Sequence, residues 1–72
     1  MPLIQINVFE NELSQEQSKD LINKITDVVT EVTSEKLREV TWVIVNEVKD
    51  GHWGVGGNPL SLNDVKKLMA SD

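Results

Sequence analysis

Val40 to Val48 reads Val-Thr-Trp-Val-Ile-Val-Asn-Glu-Val, a strand that is apolar on both faces. Such a strand needs cover on both sides. One face can pack on a helix. In a chain of 72 residues, little is left to cover the other face except a second copy of the chain. A domain this small buries only about 60% of its unfolded surface, so its core is marginal unless something adds to it. The usual additions are disulfides, a metal or oligomerisation. Cysteine is absent, which removes disulfides and leaves the redox compartment open. His52 is the only histidine and has no carboxylate pair at ligand spacing beside it, so no metal site is expected. Self-association is the expected source of stability.

Leu3 to Phe9 also reads as a strand, with Ile4, Ile6 and Val8 on one face and Leu3, Gln5, Asn7 and Phe9 on the other. Glu10-Asn11-Glu12-Leu13 is a polar loop. Ser14 with Gln17 fits a capping box, which places a helix start near Gln15. Leu21, Ile22, Ile25, Val28, Val29 and Val32 then recur at helical spacing as one continuous apolar stripe. The late valines and threonines are weak helix formers, so packing must hold this helix.

Lys49-Asp50-Gly51 signals a turn and Asn58-Pro59 a break. Ser61 with Asp64 makes a second capping box ahead of Leu62, Val65, Leu68 and Met69, which predicts a short amphipathic helix or arm. Residues 1–72 read as a single domain, with 58–72 as its C-terminal tail.

The order strand, helix, strand is a βαβ unit of the α/β class, with parallel strands and a right-handed crossover. A two-stranded parallel sheet is not stable alone, and its edges invite pairing. Dimers that join two such units into a four-stranded sheet would resolve both problems.

The formal charge is −5, from twelve acids against seven bases. Such a surface repels nucleic acid and anionic membranes, so neither is an expected partner. The first residues lack the basic and apolar regions of a signal peptide, and no apolar run is long enough to span a bilayer. A soluble, cytoplasmic protein is expected.

Met1-Pro2 is the candidate for the chemistry, against the plainer reading of an unprocessed Met-Pro start. An initiator methionine followed by a small residue is normally removed, which would leave Pro2 as the amino terminus. An unperturbed α-amino group titrates at about 7.7–8.0, and desolvation lowers that value toward neutrality. The product is a proton-transfer base made without any side chain.

Met1-Pro2, Gln5, the Glu16-Gln17 helix start, Glu47 and the segment Gly51-His52-Trp53-Gly54-Val55-Gly56-Gly57 together resemble the 4-oxalocrotonate tautomerase family of the tautomerase superfamily. The resemblance covers residues 1–57. It implies a β-α-β subunit with a terminal hairpin, assembled as a hexamer of three dimers. It also implies a proline base that moves a proton within an enol or keto acid, with no cofactor.

By that resemblance Pro2 is the catalytic base, and Trp53 stands where the family places a phenylalanine that keeps the proline amine neutral. Two arginines of the family pattern are missing. One belongs to the loop after the first strand, here Glu10 to Leu13 with one residue inserted; the other aligns with Trp42. Arginines there would clamp substrate carboxylates and stabilise the enolate. Two tryptophans at aligned site positions imply instead a pocket for a flat, apolar or aromatic group.

Arg38 is the only arginine in the chain. Four residues before Trp42, it is expected on the same strand face by period two, about 13 Å away along the strand; it is a candidate substitute anion binder for a neighbouring subunit's site, against the plainer reading of a solvated surface charge. His52 reads as structural, and Gly51, Gly54, Gly56 and Gly57 as positions of positive φ or close backbone approach. Relatives that add water use a carboxylate in the glycine-rich segment. None lies between Gly51 and Gly57, which disfavours that chemistry and leaves Glu10, Glu12 or Glu47 as the acids available for it. The leading function is a keto–enol tautomerase acting on a small molecule. Its rival is a non-catalytic or partner-dependent subunit of the same fold, either in a hetero-oligomer with an arginine-bearing chain or binding a small apolar carbonyl compound.

Overall fold

In the computed structural model, which describes residues 1–71, the chain runs β1 (Leu3–Phe9), α1 (Gln15–Val32), β2 (Trp42–Val48), β3 (Trp53–Val55), β4 (Asn58–Leu60) and α2 (Leu62–Ala70). A 3-10 turn, Glu35–Val40, leads from α1 into β2. β1 and β2 pair in parallel, from Leu3 opposite Trp42 to Phe9 opposite Val48. This is the expected βαβ unit. β3 and β4 form a separate antiparallel hairpin.

Paired residues of a parallel sheet share a face, so the register sorts the side chains. Ile4, Ile6, Val8, Val43 and Val45 are half-buried, and α1 packs on this side, mainly over β2. Leu3, Gln5, Asn7, Trp42 and Ile44 occupy the other face and are exposed. The second apolar face read from the sequence is therefore real, and within one chain it stands open. Only Phe9 and Thr30 are buried among the described residues, which fits a domain too small to close its own core.

α1 starts where its capping box places it: the Gln17 backbone N–H donates to Ser14 Oγ at 3.1 Å, and the Ser14 N–H donates to Gln17 Oε1 at 2.9 Å. Its apolar stripe is not continuous cover. Leu21, Ile25 and Val29 are half-buried, whereas Val28 and Val32 are exposed. A flat two-stranded sheet is narrower than the stripe, so one flank has nothing to pack on.

Two boundaries differ from expectation. The second strand begins at Trp42, not Val40, because residues 34–41 close local bonds instead. Ser34 Oγ accepts from the Lys36 N–H, and Thr41 donates through N–H to the Arg38 carbonyl and through Oγ1 to that of Leu37. Such side-chain bonds compete with a strand ladder. Asn58-Pro59, read as a break, instead lies within β4, where Pro59 faces Gly54. A hairpin edge tolerates proline because its missing donor points away from the partner.

Gly56 and Gly57 form the hairpin's two-residue loop, with φ of 59° and 84°. Positive φ at both positions is the requirement of a type I′ turn. Gly54 needs no such freedom: its φ is not positive, and a Cβ there would meet only the Asn58 carbonyl oxygen at 3.9 Å.

Candidate active site

The parallel register carries Trp42 to the amino terminus. β2 begins opposite the start of β1, and the Trp42 backbone N–H donates to the Pro2 carbonyl oxygen at 2.9 Å. That bond extends the ladder one step beyond Leu3 and fixes Pro2 against β2. Met1, Pro2, Leu3 and Trp42 line a cavity of about 200 Å³. Its side chains are all apolar. The Trp42 side chain is exposed, so its indole face is free to stack on a flat group beside Pro2.

Leu3 is the lining residue that the sequence reading missed. Its position on the Trp42 face follows from the register, which the sequence alone does not supply.

Trp53 lies elsewhere in the chain. Its ring stacks on Phe9, with centroids 5.0 Å apart and planes 30° from parallel. Phe9 ends β1 and Pro2 precedes it, so a seven-residue strand of roughly 20 Å separates the two ends. A single chain brings Trp42 to Pro2 and leaves Trp53 at the far end of the sheet.

Arg38 sits in the 3-10 turn rather than on a strand face. Its Nη2 donates to Asp27 Oδ1 at 2.8 Å and to Thr30 Oγ1 at 3.3 Å, and its Nε pairs with Glu35. Hydrogen bonds to Glu35 and then Asp27 hold the guanidinium above its ordinary pKa, and the Arg38 hydrogen bond is the leading cause that lowers Glu35. This cluster ties the turn to the end of α1 over buried Thr30, so two carboxylates already engage the charge.

The acids of the first loop are also partly engaged. Glu12 Oε1 accepts the Phe9 backbone N–H at 2.9 Å, closing a loop in which Asn11 takes a positive φ of 68°. Glu10 N–H donates to the Val48 carbonyl at 2.8 Å. The His52 backbone N–H donates to the Lys49 carbonyl at 3.0 Å, within the turn that precedes the hairpin. No group of three or more potential metal ligands occurs among the described residues. None of the described helices is long and apolar enough to cross a membrane.

A βαβ unit with a glycine hairpin and a proline at position 2, held in an apolar cavity at the strand ends, defines the class of small tautomerase-like folds. The chain belongs to the tautomerase family: the family described as "Tautomerase enzyme" matches residues 2–63. Among relatives, a protein from Staphylococcus aureus named a probable tautomerase is 35% identical over 57 residues, 79% of this chain and 90% of that protein. A second, from Dickeya dadantii and also named a probable tautomerase, is 33% identical over 61 residues, 85% of this chain and 90% of its own length. Among solved structures, YwhB, a homologue of 4-oxalocrotonate tautomerase, superposes with a TM-score of 0.71 at 28% identity, covering 88% of this chain and 97% of that one. DmpI from Helicobacter pylori gives 0.70 at 29% identity, covering 88% and 98%.

Proposed function

We propose that the chain is a cofactor-free keto–enol tautomerase in which Pro2, freed by removal of Met1, is the general base. The observation that carries this reading is the juxtaposition of Pro2 with Leu3 and Trp42, the apolar lining of that cavity which stays once Met1 is removed. A secondary amine in apolar surroundings loses water from its charged form and titrates below an ordinary terminus. It can then take a proton from an enol hydroxyl at neutral pH and return one to carbon. Trp42 supports a substrate with a flat aryl or apolar alkyl group, which stacks on the indole while the reacting carbon lies at Pro2.

The reading extends to assembly. The unpaired outer edges of β1 and β2 fit dimers that join two βαβ units into a four-stranded sheet, and the open face around Ile44 fits the packing of such dimers into a hexamer working in the cytoplasm. In such an assembly Trp53 of one copy is the candidate to close the Pro2 cavity of another, since it cannot do so within its own chain. Arg38 could serve a neighbouring site only by exchanging Asp27 or Glu35 for a substrate anion.

One observation favours the rival reading, a non-catalytic or partner-dependent subunit. The sole arginine is held by Asp27 and Glu35, and the resemblance puts Trp42 where the family pattern has an arginine. The deciding experiment is turnover of the phenylpyruvate enol by the pure protein, with mass spectrometry establishing that Pro2 is free. Turnover that vanishes in Pro2→Ala supports the enzyme. A processed protein that binds the compound without turning it over supports the rival.

A further inference from the structure

The register gives the open face of the sheet an order. Its four residue pairs run from Leu3–Trp42 to Phe9–Val48. None of these residues is charged, in a chain of twelve acids and seven bases. Leu3 and Trp42, beside Pro2, are 54% and 57% exposed, so this end is flat and apolar. The opposite end is raised: Trp53 stacks on Phe9 with ring centroids 5.0 Å apart and leaves it 3% exposed. Between the ends lie three amides, Gln5 opposite Ile44 and Asn7 opposite Asn46. Among the described residues, none of these three side chains makes a hydrogen bond.

Each feature selects the same occupant. A face without charge is where copies of a chain of net charge −5 meet without direct repulsion. An amide carries both donor and acceptor groups, so a row of amides is complementary to itself, as a two-fold contact between copies requires. Shape then sets the direction. If like ends met, the two raised ends would hold the faces apart. With the strands reversed, the raised end of each copy seats on the flat end of the other, and the central amides meet. Any other register buries amides without partners and incurs their full desolvation.

We propose that the open face packs on the same face of a second copy with the strands antiparallel, and that Gln5, Asn7 and Asn46 are the positioning residues that fix its register. Phe9 and Trp53 of one copy then cover Leu3, Trp42 and Pro2 of the other. The catalytic role of that cover rests on the reading of Pro2 as the base, whereas the contact itself is read without any turnover.

Asn7→Asp and Asn46→Asp keep the side-chain shape and set carboxylates against one another across the contact. Sedimentation should find each variant dissociating at a concentration at least tenfold above that of the parent, and circular dichroism checks that each is folded. An edge contact runs along one strand and would feel only one of the two changes, whereas the face contains both strands. Packed sheets lie about 10 Å apart, beyond the reach of a disulfide, so a short bismaleimide reads the direction in this cysteine-free chain. Val55 is exposed and lies two residues from Trp53 on β3. L3C and V55C proteins refolded together should give mixed L3C–V55C product in excess of random pairing, and less of it when the chains also carry Asn7→Asp or Asn46→Asp. A protein that gives this product and no turnover would support the contact and count against Pro2 as the base. Like-end products in excess, or parent-like sedimentation of either variant, would overturn the proposal.

Discussion

The Trp42 backbone N–H donates to the Pro2 carbonyl oxygen at 2.9 Å, so Trp42 is fastened to the proposed base. Substrate choice at Pro2 is then a question about the Trp42 side chain.

Trp42→Ala should lower kcat/KM for an aryl-pyruvate enol by three- to tenfold, because an aromatic stack is worth about 0.5–1.5 kcal/mol beyond its buried area. An alkyl enol should lose less. Trp42→Arg should reverse the preference. A guanidinium beside Pro2 supplies the charge-assisted partner that a carboxylate requires, so turnover of a muconate-type dienol should rise by about tenfold or more. Steady-state kinetics with both substrates, at low and high salt, makes the comparison. A parent protein that already prefers the dicarboxylate by tenfold would mean an anion site other than Trp42, and Arg38 would be the next residue to change.

Much of this was legible in the sequence. The capping boxes at Ser14 and Ser61 placed both helices because those bonds are local and span three residues. The strand pattern from Leu3 to Phe9 likewise needs only its own alternation. What was not legible depends on non-local register. That Leu3 shares the Pro2 cavity, and that Trp53 lies a strand's length away on Phe9, follows from the pairing of β1 with β2 and from the hairpin's placement. Arg38 was misplaced for a related reason. Its residues are compatible with a strand, and only Ser34, Thr41 and the carboxylates of Asp27 and Glu35 hold them in a turn.

The Pro2 amine should titrate below the usual terminal range of about 7.7–8.0. Desolvation disfavours its charged form, so the neutral base accumulates as pH rises through that lowered value, and kcat/KM should climb with the same midpoint. NMR titration of the proline nitrogen and the pH–rate profile are the paired measurements. A midpoint at or above the usual range would count against the apolar cavity as the tuning device. A variant that retains Met1 should be inactive yet folded, since an amide nitrogen has no basicity.

Arg38 and Glu35 make a pH prediction for stability. Glu35 is lowered from its ordinary value chiefly by the hydrogen bond from Arg38. A depressed carboxylate contributes stability that is present above its unfolded value, about 4.3, and is lost as pH falls through the folded one. Arg38→Ala should therefore lower Tm at pH 7 by more than it does at a pH below the lowered Glu35 value, where Glu35 is protonated in either protein. Both groups are exposed, so the effect should be modest and should shrink in salt. Equal Tm losses across that range would assign Arg38 a packing role over Thr30 instead.

The open sheet face gives the most direct test of assembly, because Ile44 and Val45 are neighbours on opposite faces. Val45 is half-buried on the helix side, whereas Ile44 is 39% exposed in the single chain. Val45→Lys should destabilise the fold whatever the oligomeric state, since it places a charge beneath α1. Ile44→Lys separates the cases. On a face that stays in water, a substitution of this kind shifts stability by no more than about 0.5 kcal/mol. On a face covered by a second copy, it buries an unpaired charge and should cost several kcal/mol of association. Sedimentation of Ile44→Lys across a range of protein concentrations should find a smaller species where the parent is assembled. The same assembly in both proteins, with the same dissociation midpoint, would show that the Leu3–Trp42–Ile44 face remains open and that the chain associates through another surface.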